Sequence, residues 1–255
     1  MADHILPRRH AMIFALIALS LFFACAPSAA VAQDEEAAAL LADAATAMAG
    51  VQSFRFEITT PRGATTFGES FTLLGVTGEV QRPDRFRAVA TVDAMIAQLD
   101  LTLIGIGTTL WLTDPMSAEP AFIELDLAEM DTGSGPSPAT LLNPDQLLLT
   151  AVDSVEDPTI GGQDEIDGVP TTRVNGFATL DPLAAAGIAG TPVVGMSMLG
   201  EPVQVAIWID QDRRVRQLDV YGPLLETEAP NTVRRLTLTA FDEPVDIQPP
   251  PPAPD

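Results

Sequence analysis

The sequence predicts an α+β fold, in which one broad, curved antiparallel sheet has helices over its apolar concave face. Successive segments alternate apolar and polar residues and are joined by short turns, which is typical of an antiparallel meander. A sheet with one apolar face must bury that face against another layer. Three stretches are helical candidates for this layer: residues 35–50, 141–149 and 182–200. The chain has 255 residues, 47% of them hydrophobic, and is long enough for such a core.

The amino-terminal segment predicts export. Arg8 and Arg9 precede AMIFALIALSLFFA, an apolar stretch of 14 residues. This stretch is short for a membrane span but has the length of the core of an export signal. We therefore expect the rest of the chain to be exported and to fold outside the cytoplasm.

Two processing sites compete in this segment. The AVA sequence at 30–32 fits ordinary cleavage before Gln33, and the product would be secreted. The FFAC sequence at 22–25 resembles a bacterial lipobox, whose cysteine becomes diacylated and holds the protein on the outer face of the cytoplasmic membrane. An exported chain with a single cysteine cannot use it in an internal disulfide, so a different role is expected for it. We therefore expect lipidation at Cys25.

The chain divides into three parts. Residues 1–32 form the export signal and tether, with 1–24 as the signal if the chain is a lipoprotein. Residues 33–248 form one domain, and residues 249–255 are a proline-rich tail of polyproline type.

Composition excludes several classes of function. The formal net charge is -22, and the 13 basic residues are all arginines, so nucleic acid is not an expected partner. The two histidines, His4 and His10, leave with the signal. The exported part then has no histidine, lysine or internal cysteine, which excludes the usual bases, nucleophiles and zinc ligands. We therefore predict no enzyme, no metal and no cofactor.

Paired carboxylates are the remaining route to catalysis, as in glycosidases. Two acidic groups are candidates, Asp164 with Glu165 and Asp167, and Asp210 with Asp212. Each lies beside glycine or arginine in a predicted turn. Solvated turn carboxylates are the simpler interpretation, and a carboxylate hydrolase is a distant alternative.

The first predicted element after the signal is an amphipathic helix in EEAAALLADAATAMAG, which ends at Gly50. Strands follow. In SFRFEITT, Phe54, Phe56 and Ile58 fall on one face, with Arg55 opposite. Further strands are predicted in ESFTLLGVTGEV, RFRAVATV, QLDLTLIGIG, TTLWLTDP and AFIEL.

The middle of the chain breaks this pattern. PATLLNPDQLLLTAV predicts two short helical pieces, because Pro144 interrupts the leucines. Strands return in DEIDGVPTTRVNGF, EPVQVAIWID, RRVRQLDVYGP and TVRRLTLTAFDEPVDI. Val205 and Ile207 share one face, and Trp208 is expected on the opposite one. The arginines of the intervening hairpin, Arg213, Arg214 and Arg216, fit a polar turn better than a headgroup site.

The stretch PLAAAGIAGTPVVGMSMLG at 182–200 has no charge. Its glycines and its proline argue against a spanning helix and favour one or two short helices. On one interpretation it packs as ordinary core. On the other, its small residues leave an apolar cavity of lipid size, and the low aromatic content of 5% favours this second interpretation.

Several segments, in order and spacing, resemble the LppX/LprAFG lipoproteins, relatives in fold of the LolA and LolB lipoprotein carriers. These segments are GVQSFRFEIT, GEVQRPDRFRA, TLWLTDP, GGQDEIDGVPTTRVNG, VAIWIDQDRRVRQLDVYGP and RRLTLTAFDEPVDI, and the resemblance covers roughly residues 37–249. It implies a LolA-like, half-open barrel that binds acylated lipid or glycolipid and carries it across the cell envelope, with an envelope transporter as a partner.

By position in this fold, we expect a set of apolar side chains to line the lipid site. The set is Leu141, Leu142, Leu147, Leu148, Leu183, Ile188, Val193, Val194, Met196, Met198 and Leu199 on the helices, with Val205, Ile207, Leu218 and Leu238 on the sheet. The alternative function is an envelope structural or interaction module with a filled core, which carries nothing.

Overall fold

The computed structural model describes residues 29–67, 71–94, 96–114, 117, 121–129, 144–178, 202–224 and 228–251. The export signal, Cys25 and the stretch at 182–200 lie outside these residues.

Helix α1 spans Ala29–Gly50 and so begins before the predicted Glu35. The predicted apolar face is confirmed: Leu40, Leu41, Ala44 and Met48 are buried, and Ala45 is half-buried. Polar neighbours between them are exposed, as the helical period requires.

The carboxyl end of α1 is held by an arginine from elsewhere in the chain. Arg82 Nη1 donates to the carbonyl oxygens of Met48, Ala49 and Val51 at 2.6, 2.7 and 2.7 Å. The last carbonyls of a helix have no partner within the helix, and a cation there also interacts favourably with the helix dipole. Arg82 therefore ties α1 to the turn that follows the third strand.

Twelve strands are present among the described residues, and the antiparallel meander is confirmed. They are β1 (Ser53–Arg62), β2 (Thr65–Phe67), β3 (Phe71–Gln81), β4 (Arg85–Asp93), β5 (Gln98–Ile106), β6 (Thr109–Thr113), β7 (Phe122–Asp126), β8 (Val155–Ile166), β9 (Val169–Ala178), β10 (Val203–Asp210), β11 (Val215–Tyr221) and β12 (Val233–Thr239).

These strands form one sheet in the order β7-β6-β5-β4-β3-β1-β12-β11-β10-β9-β8, with β2 paired to β3 beside this path. The first and last strands, β1 and β12, meet in the middle. The chain thus builds one half of the sheet outward from β1 and the other half inward from β8. Within the described residues β7 and β8 are free edges, so the sheet is open.

Helix α2 spans Pro144–Asp153 and corresponds to the second of the two helical pieces predicted in this region. The first piece, with Leu141 and Leu142, lies outside the described residues. The sequence interpretation started the next strand at Asp164, which is wrong. Strand β8 begins at Val155. The sequence did not reveal this start, because a register shift around Pro158 and another around Gly161 break the alternation of apolar and polar residues.

The buried side chains form one core cluster. It contains the apolar faces of α1 and α2 and the residues of one sheet face, which we call the core face; the opposite side is the outer face. Helix α1 packs mainly against β8 and α2. The predicted cover of three helical stretches over a concave face remains a prediction, since the stretch at 182–200 is not described.

The carboxyl-terminal segment is packed at least as far as Ile247. Ile247 is 1% exposed, and its carbonyl oxygen accepts a hydrogen bond from Arg85 Nη1 at 2.9 Å. Asp242 Oδ1 also accepts a hydrogen bond from the Gln52 backbone at 2.8 Å. These contacts attach the segment to the sheet next to the end of α1.

Candidate functional site

A single row of apolar residues crosses nine strands on the core face. Residues that face each other in antiparallel strands point to the same side of the sheet, so the pairing register defines the row. From β8 to β5 it is Ile160, Val174, Ile207, Leu218, Leu236, Ile58, Val76, Ala90 and Leu101.

Burial changes along this row. Val174, Ile207 and Leu218, on β9 to β11, are 1%, 0% and 6% exposed. From β12 onward every member is only half-buried, beginning with Leu236. The core face thus has a packed region on β9 to β11. The row is half-buried on β12, β1, β3, β4 and β5.

The half-buried part extends to the neighbouring core-face positions of β5, β6 and β7. Leu103 pairs with Leu112, which pairs with Ile123, and Ile123 is 44% exposed. We call this area the half-buried patch. Its members are Leu236, Ile58, Val76, Ala90, Leu101, Leu103, Leu112 and Leu125.

Two phenylalanine rings fill the side of this patch next to Gly78 and Gly105. A side chain at Gly78 would meet the Phe56 ring at 2.4 Å, and one at Gly105 would meet the Phe86 ring at 2.1 Å. Both glycines therefore allow a ring to lie flat over a strand. Phe56 and Phe86 are 5% and 6% exposed, so this side of the patch is filled.

Five of the predicted lining residues have described side chains, and the structure brings them together. Leu148, Val205, Ile207, Leu218 and Leu238 are at most 6% exposed and belong to the same core cluster. The sheet-side members lie on the core face, as expected. All five lie in the well-packed part of the core, not in the half-buried patch.

The remaining predicted lining residues cannot be compared with this arrangement. Leu147 lies in α2, but its side chain is not described. The others lie outside the described residues: Leu141, Leu142, Leu183, Ile188, Val193, Val194, Met196, Met198 and Leu199.

Exposed apolar side chains lie at one end of the strands that carry the patch. Phe71 and Leu74, at the start of β3, are each 47% exposed, and Ile96, in the turn between β4 and β5, is 96% exposed. Ile123 near the start of β7 belongs to the same end. We call these four residues the apolar rim.

The outer face carries charged groups in pairs. Arg235 donates to Asp219 through Nε and Nη2 at 2.8 and 2.7 Å, and this hydrogen bonding raises the pKa of Arg235. Burial raises the pKa of Tyr221, and the Asp219 carboxylate raises it further. Trp208 Nε1 donates to Asp164 Oδ2 at 2.9 Å, so its predicted position on the outer face is confirmed.

The hairpin between β10 and β11 is a polar turn, as predicted, but Asp210 is not a solvated carboxylate. It is 5% exposed and accepts a hydrogen bond from Arg216 Nε at 2.6 Å. Arg214 pairs with Asp242 at 3.1 Å, and Arg213 pairs with Asp43 at 3.6 Å. Each hairpin arginine thus has an acidic partner within the chain.

One charged pair lies on the core face, and the sequence interpretation missed it. Arg234 faces Val220 across β11 and alternates with Leu236 and Leu238, so it belongs to the core face. Its Nη2 donates to Glu228 Oε1, and the Leu224 backbone donates to Glu228 Oε2 at 2.9 Å. The alternation that places Leu236 and Leu238 on one face also places Arg234 there, so the signal was present in the sequence.

This pair is strongly desolvated. The Glu228 side chain is 0% exposed and that of Arg234 is 15% exposed. Burial lowers the pKa of Arg234, because desolvation disfavours its charged form. Arg234 Nη1 is buried and has no hydrogen-bond partner among the described residues.

Within the part of the chain that the structure describes, no group of three or more acidic, histidine or cysteine side chains is arranged to hold a metal ion. In the same residues, no helix combines the length and apolar content needed to cross a membrane.

Comparison with known proteins gives the family. The LppX_LprAFG lipoprotein family model matches residues 36–247, which is most of the chain. The chain therefore belongs to the LppX_LprAFG lipoprotein family. The resemblance seen in the sequence is confirmed, over nearly the same residues.

Two solved structures are similar to the chain in fold. LprF from Mycobacterium bovis aligns with a TM-score of 0.57 and 20% identity, covering 85% of this chain and 97% of LprF. The lipoprotein LppX from Mycobacterium tuberculosis aligns with a TM-score of 0.51 and 16% identity, covering 83% of this chain and 99% of LppX. No curated protein matches the chain.

Proposed function

We propose that the chain is an exported lipid carrier, which holds an acylated lipid or glycolipid on the half-buried patch for transfer across the cell envelope. Membership of a lipoprotein family is consistent with this role. The observation that carries the proposal is the apolar row, which is half-buried from Leu236 to Leu101 although it continues a fully buried core.

The half-buried patch keeps part of its apolar surface in contact with water. Each methylene group that leaves water contributes about 0.8 kcal/mol, so an acyl chain laid over this patch gains several times that amount. The patch offers aliphatic side chains from seven strands with no charged residue among its members. Such a surface binds hydrocarbon without selecting strongly for its shape.

The sheet-side lining predicted from the sequence has a different role in this proposal. Val205, Ile207, Leu218 and Leu238 would form the closed end of the site, because they are already buried. The apolar side chains of the 182–200 stretch, from Leu183 to Leu199, would cover the acyl chains from the opposite side.

The apolar rim would be the end through which lipid is exchanged with a membrane. Its four residues lie at the end of the sheet next to the half-buried patch. A fully exposed isoleucine such as Ile96 gains free energy when it enters the acyl boundary of a bilayer.

Lipidation of Cys25 would keep the carrier on the outer face of the cytoplasmic membrane, and an envelope transporter would supply or receive the lipid. Replacement of Cys25 by serine is expected to move the protein from the membrane fraction to the soluble fraction after cell fractionation. A Cys25→Ser protein that stays with the membrane would contradict the anchor.

The experiment that tests the carrier function is native mass spectrometry after incubation with vesicles of diacyl phospholipid. We expect a bound lipid in the parent chain and a several-fold smaller loaded fraction in Ala90→Trp, whose indole would fill the patch. Val89→Trp is the matched control. Val89 is the adjacent residue, also half-buried, but on the outer face, so loading should match the parent.

The alternative is an envelope module with a filled core, which carries no lipid. The burial of Val205, Ile207 and Leu218 favours it for the packed region. A parent chain that binds no lipid from these vesicles, and none from a lipid extract of bacterial membranes, would favour this alternative over the carrier.

A further inference from the structure

The inference concerns the buried Arg234–Glu228 pair and rests on the proposed carrier function. Arg234 differs from its neighbour Arg235 in both position and hydrogen bonding. Arg235 lies on the outer face and uses two of its nitrogens on Asp219. Arg234 lies on the core face beside apolar residues and leaves a buried nitrogen, Nη1, without a partner among the described residues.

Such an arrangement is unfavourable in an empty protein. A buried ion pair loses more hydration energy than its Coulomb attraction returns unless its remaining donors are also satisfied. A buried N–H group without an acceptor adds a further desolvation penalty. An acceptor atom supplied by a ligand would remove that penalty.

The position of the pair indicates which part of a ligand it would meet. Arg234 lies next to Leu236, the first half-buried member of the apolar row. It is also near the start of β12, at the same end of the sheet as the apolar rim. Acyl chains on the half-buried patch would therefore have their polar ends close to this pair.

The same end of the sheet has further unmet polar groups. The hydroxyl oxygens of Thr65 and Thr232 are buried without a partner in the described residues. The backbone at Gly63 passes close to Thr232, since a side chain there would meet Thr232 Oγ1 at 2.6 Å. Three of the four buried side-chain atoms that lack a partner in the described residues thus belong to this region.

The charge of the pair indicates the class of acceptor. Glu228 already neutralises Arg234, so a second anion placed here would be repelled by the buried carboxylate. A neutral acceptor avoids this repulsion. The group that joins an acyl chain to its lipid, an ester, offers a neutral carbonyl oxygen.

We propose that Arg234 Nη1 donates a hydrogen bond to an ester carbonyl oxygen of the bound lipid, and that Glu228 holds the guanidinium in place for it. The pair would thereby fix how deep the acyl chains enter and would favour ester-linked lipids over ether-linked ones.

The test compares two glycerolipids with the same headgroup and chain length, one a diacyl ester and the other a dialkyl ether. Loading of the parent chain is measured by native mass spectrometry with both lipids in one vesicle preparation. A hydrogen bond from a charged donor predicts about tenfold or stronger preference for the ester. Equal loading of the two lipids by the parent chain would overturn the inference and leave the carrier function intact.

Two variants sharpen the comparison. The double variant Glu228→Gln/Arg234→Met removes both charges, so neither is left buried alone, and it is expected to load ester and ether equally. Arg55→Met, on the exposed outer face of β1, is the control and should keep the preference of the parent. An ester preference that persists in the double variant would assign it to another group and overturn the inference.

Absence of both lipids from the parent chain has a different meaning. That result would contradict the carrier function itself, and the inference about Arg234 would fail with it.

Discussion

The apolar row of the core face has two parts that differ in burial although their residues are of the same kind. On β9 to β11 the row is closed off from solvent, and its members belong to the core cluster, which also includes residues from both helices. From β12 to β5 the same row is half-buried. The difference teaches that apolar character alone does not make a core, because the elements packed against a sheet decide which part is filled.

The first prediction sets two leucines of this row against each other. Leu218→Ala in the packed region should lower the free energy of unfolding by about 2–5 kcal/mol, because it leaves a cavity in a closed core. Leu101→Ala in the half-buried patch should cost only about 1 kcal/mol, since its side chain is already partly hydrated. Urea denaturation of both variants measures the difference, and equal losses would mean that the two parts are packed alike.

The second prediction uses added volume instead of lost volume. Leu148→Trp should lower the free energy of unfolding by about 1–3 kcal/mol, because Leu148 is 3% exposed and the larger ring has no room. Ala90→Trp should have a smaller effect, since the patch leaves space above Ala90. Thermal unfolding checks both variants; a more severe loss in Ala90→Trp would show that the patch is closed.

The third prediction concerns the apolar rim. Ile96→Ser should slow the transfer of a fluorescent lipid from vesicles by about tenfold, because one fully buried isoleucine contributes about 1.5 kcal/mol. Stability should not change, since Ile96 is 96% exposed. Phe177→Ser, which removes an exposed apolar side chain from the outer face of β9, is the control. Similar slowing by both variants would remove the special role of the rim.

The fourth prediction is the smallest and concerns Tyr221, the single tyrosine of the chain. Its pKa is raised by burial and by Asp219, so its absorbance should titrate at a more alkaline pH than that of free tyrosine. Because the pKa of Tyr221 is higher in the folded than in the unfolded chain, the free energy of unfolding should fall with rising pH. The stabilisation from the neutral phenol is fully present below the unfolded pKa and is lost as pH rises through the folded pKa. Titration at the usual pH would show that Tyr221 is not desolvated by the sheet.

The alternation in the sequence was sufficient to predict the sheet. It placed Phe54, Phe56 and Ile58 on one face and Trp208 on the other, and the register confirms both. The helical spacing of Leu40, Ala44 and Met48 was also sufficient to predict which face of α1 is buried. These patterns are local, so they could be found from the chain alone.

What could not be predicted depends on long-range pairing. That β1 lies beside β12 is a contact across most of the chain, and it is this contact that joins the half of the sheet built from β1 to the half built from β8. The start of β8 was missed because register shifts interrupt its alternation. The burial of Arg234 was missed for a different reason: its position followed from the alternation, but a charged residue on an apolar face was not sought.

The most direct test of the account is photo-crosslinking with a lipid that carries a diazirine in its acyl chain, followed by mapping of the labelled residues by mass spectrometry. The account predicts labels on the half-buried patch, at Ile58, Val76 and Leu101, and few on Ile207 or on Val89 of the outer face. Labels spread equally over both faces, or confined to the packed region, would contradict the claim that the patch holds the lipid.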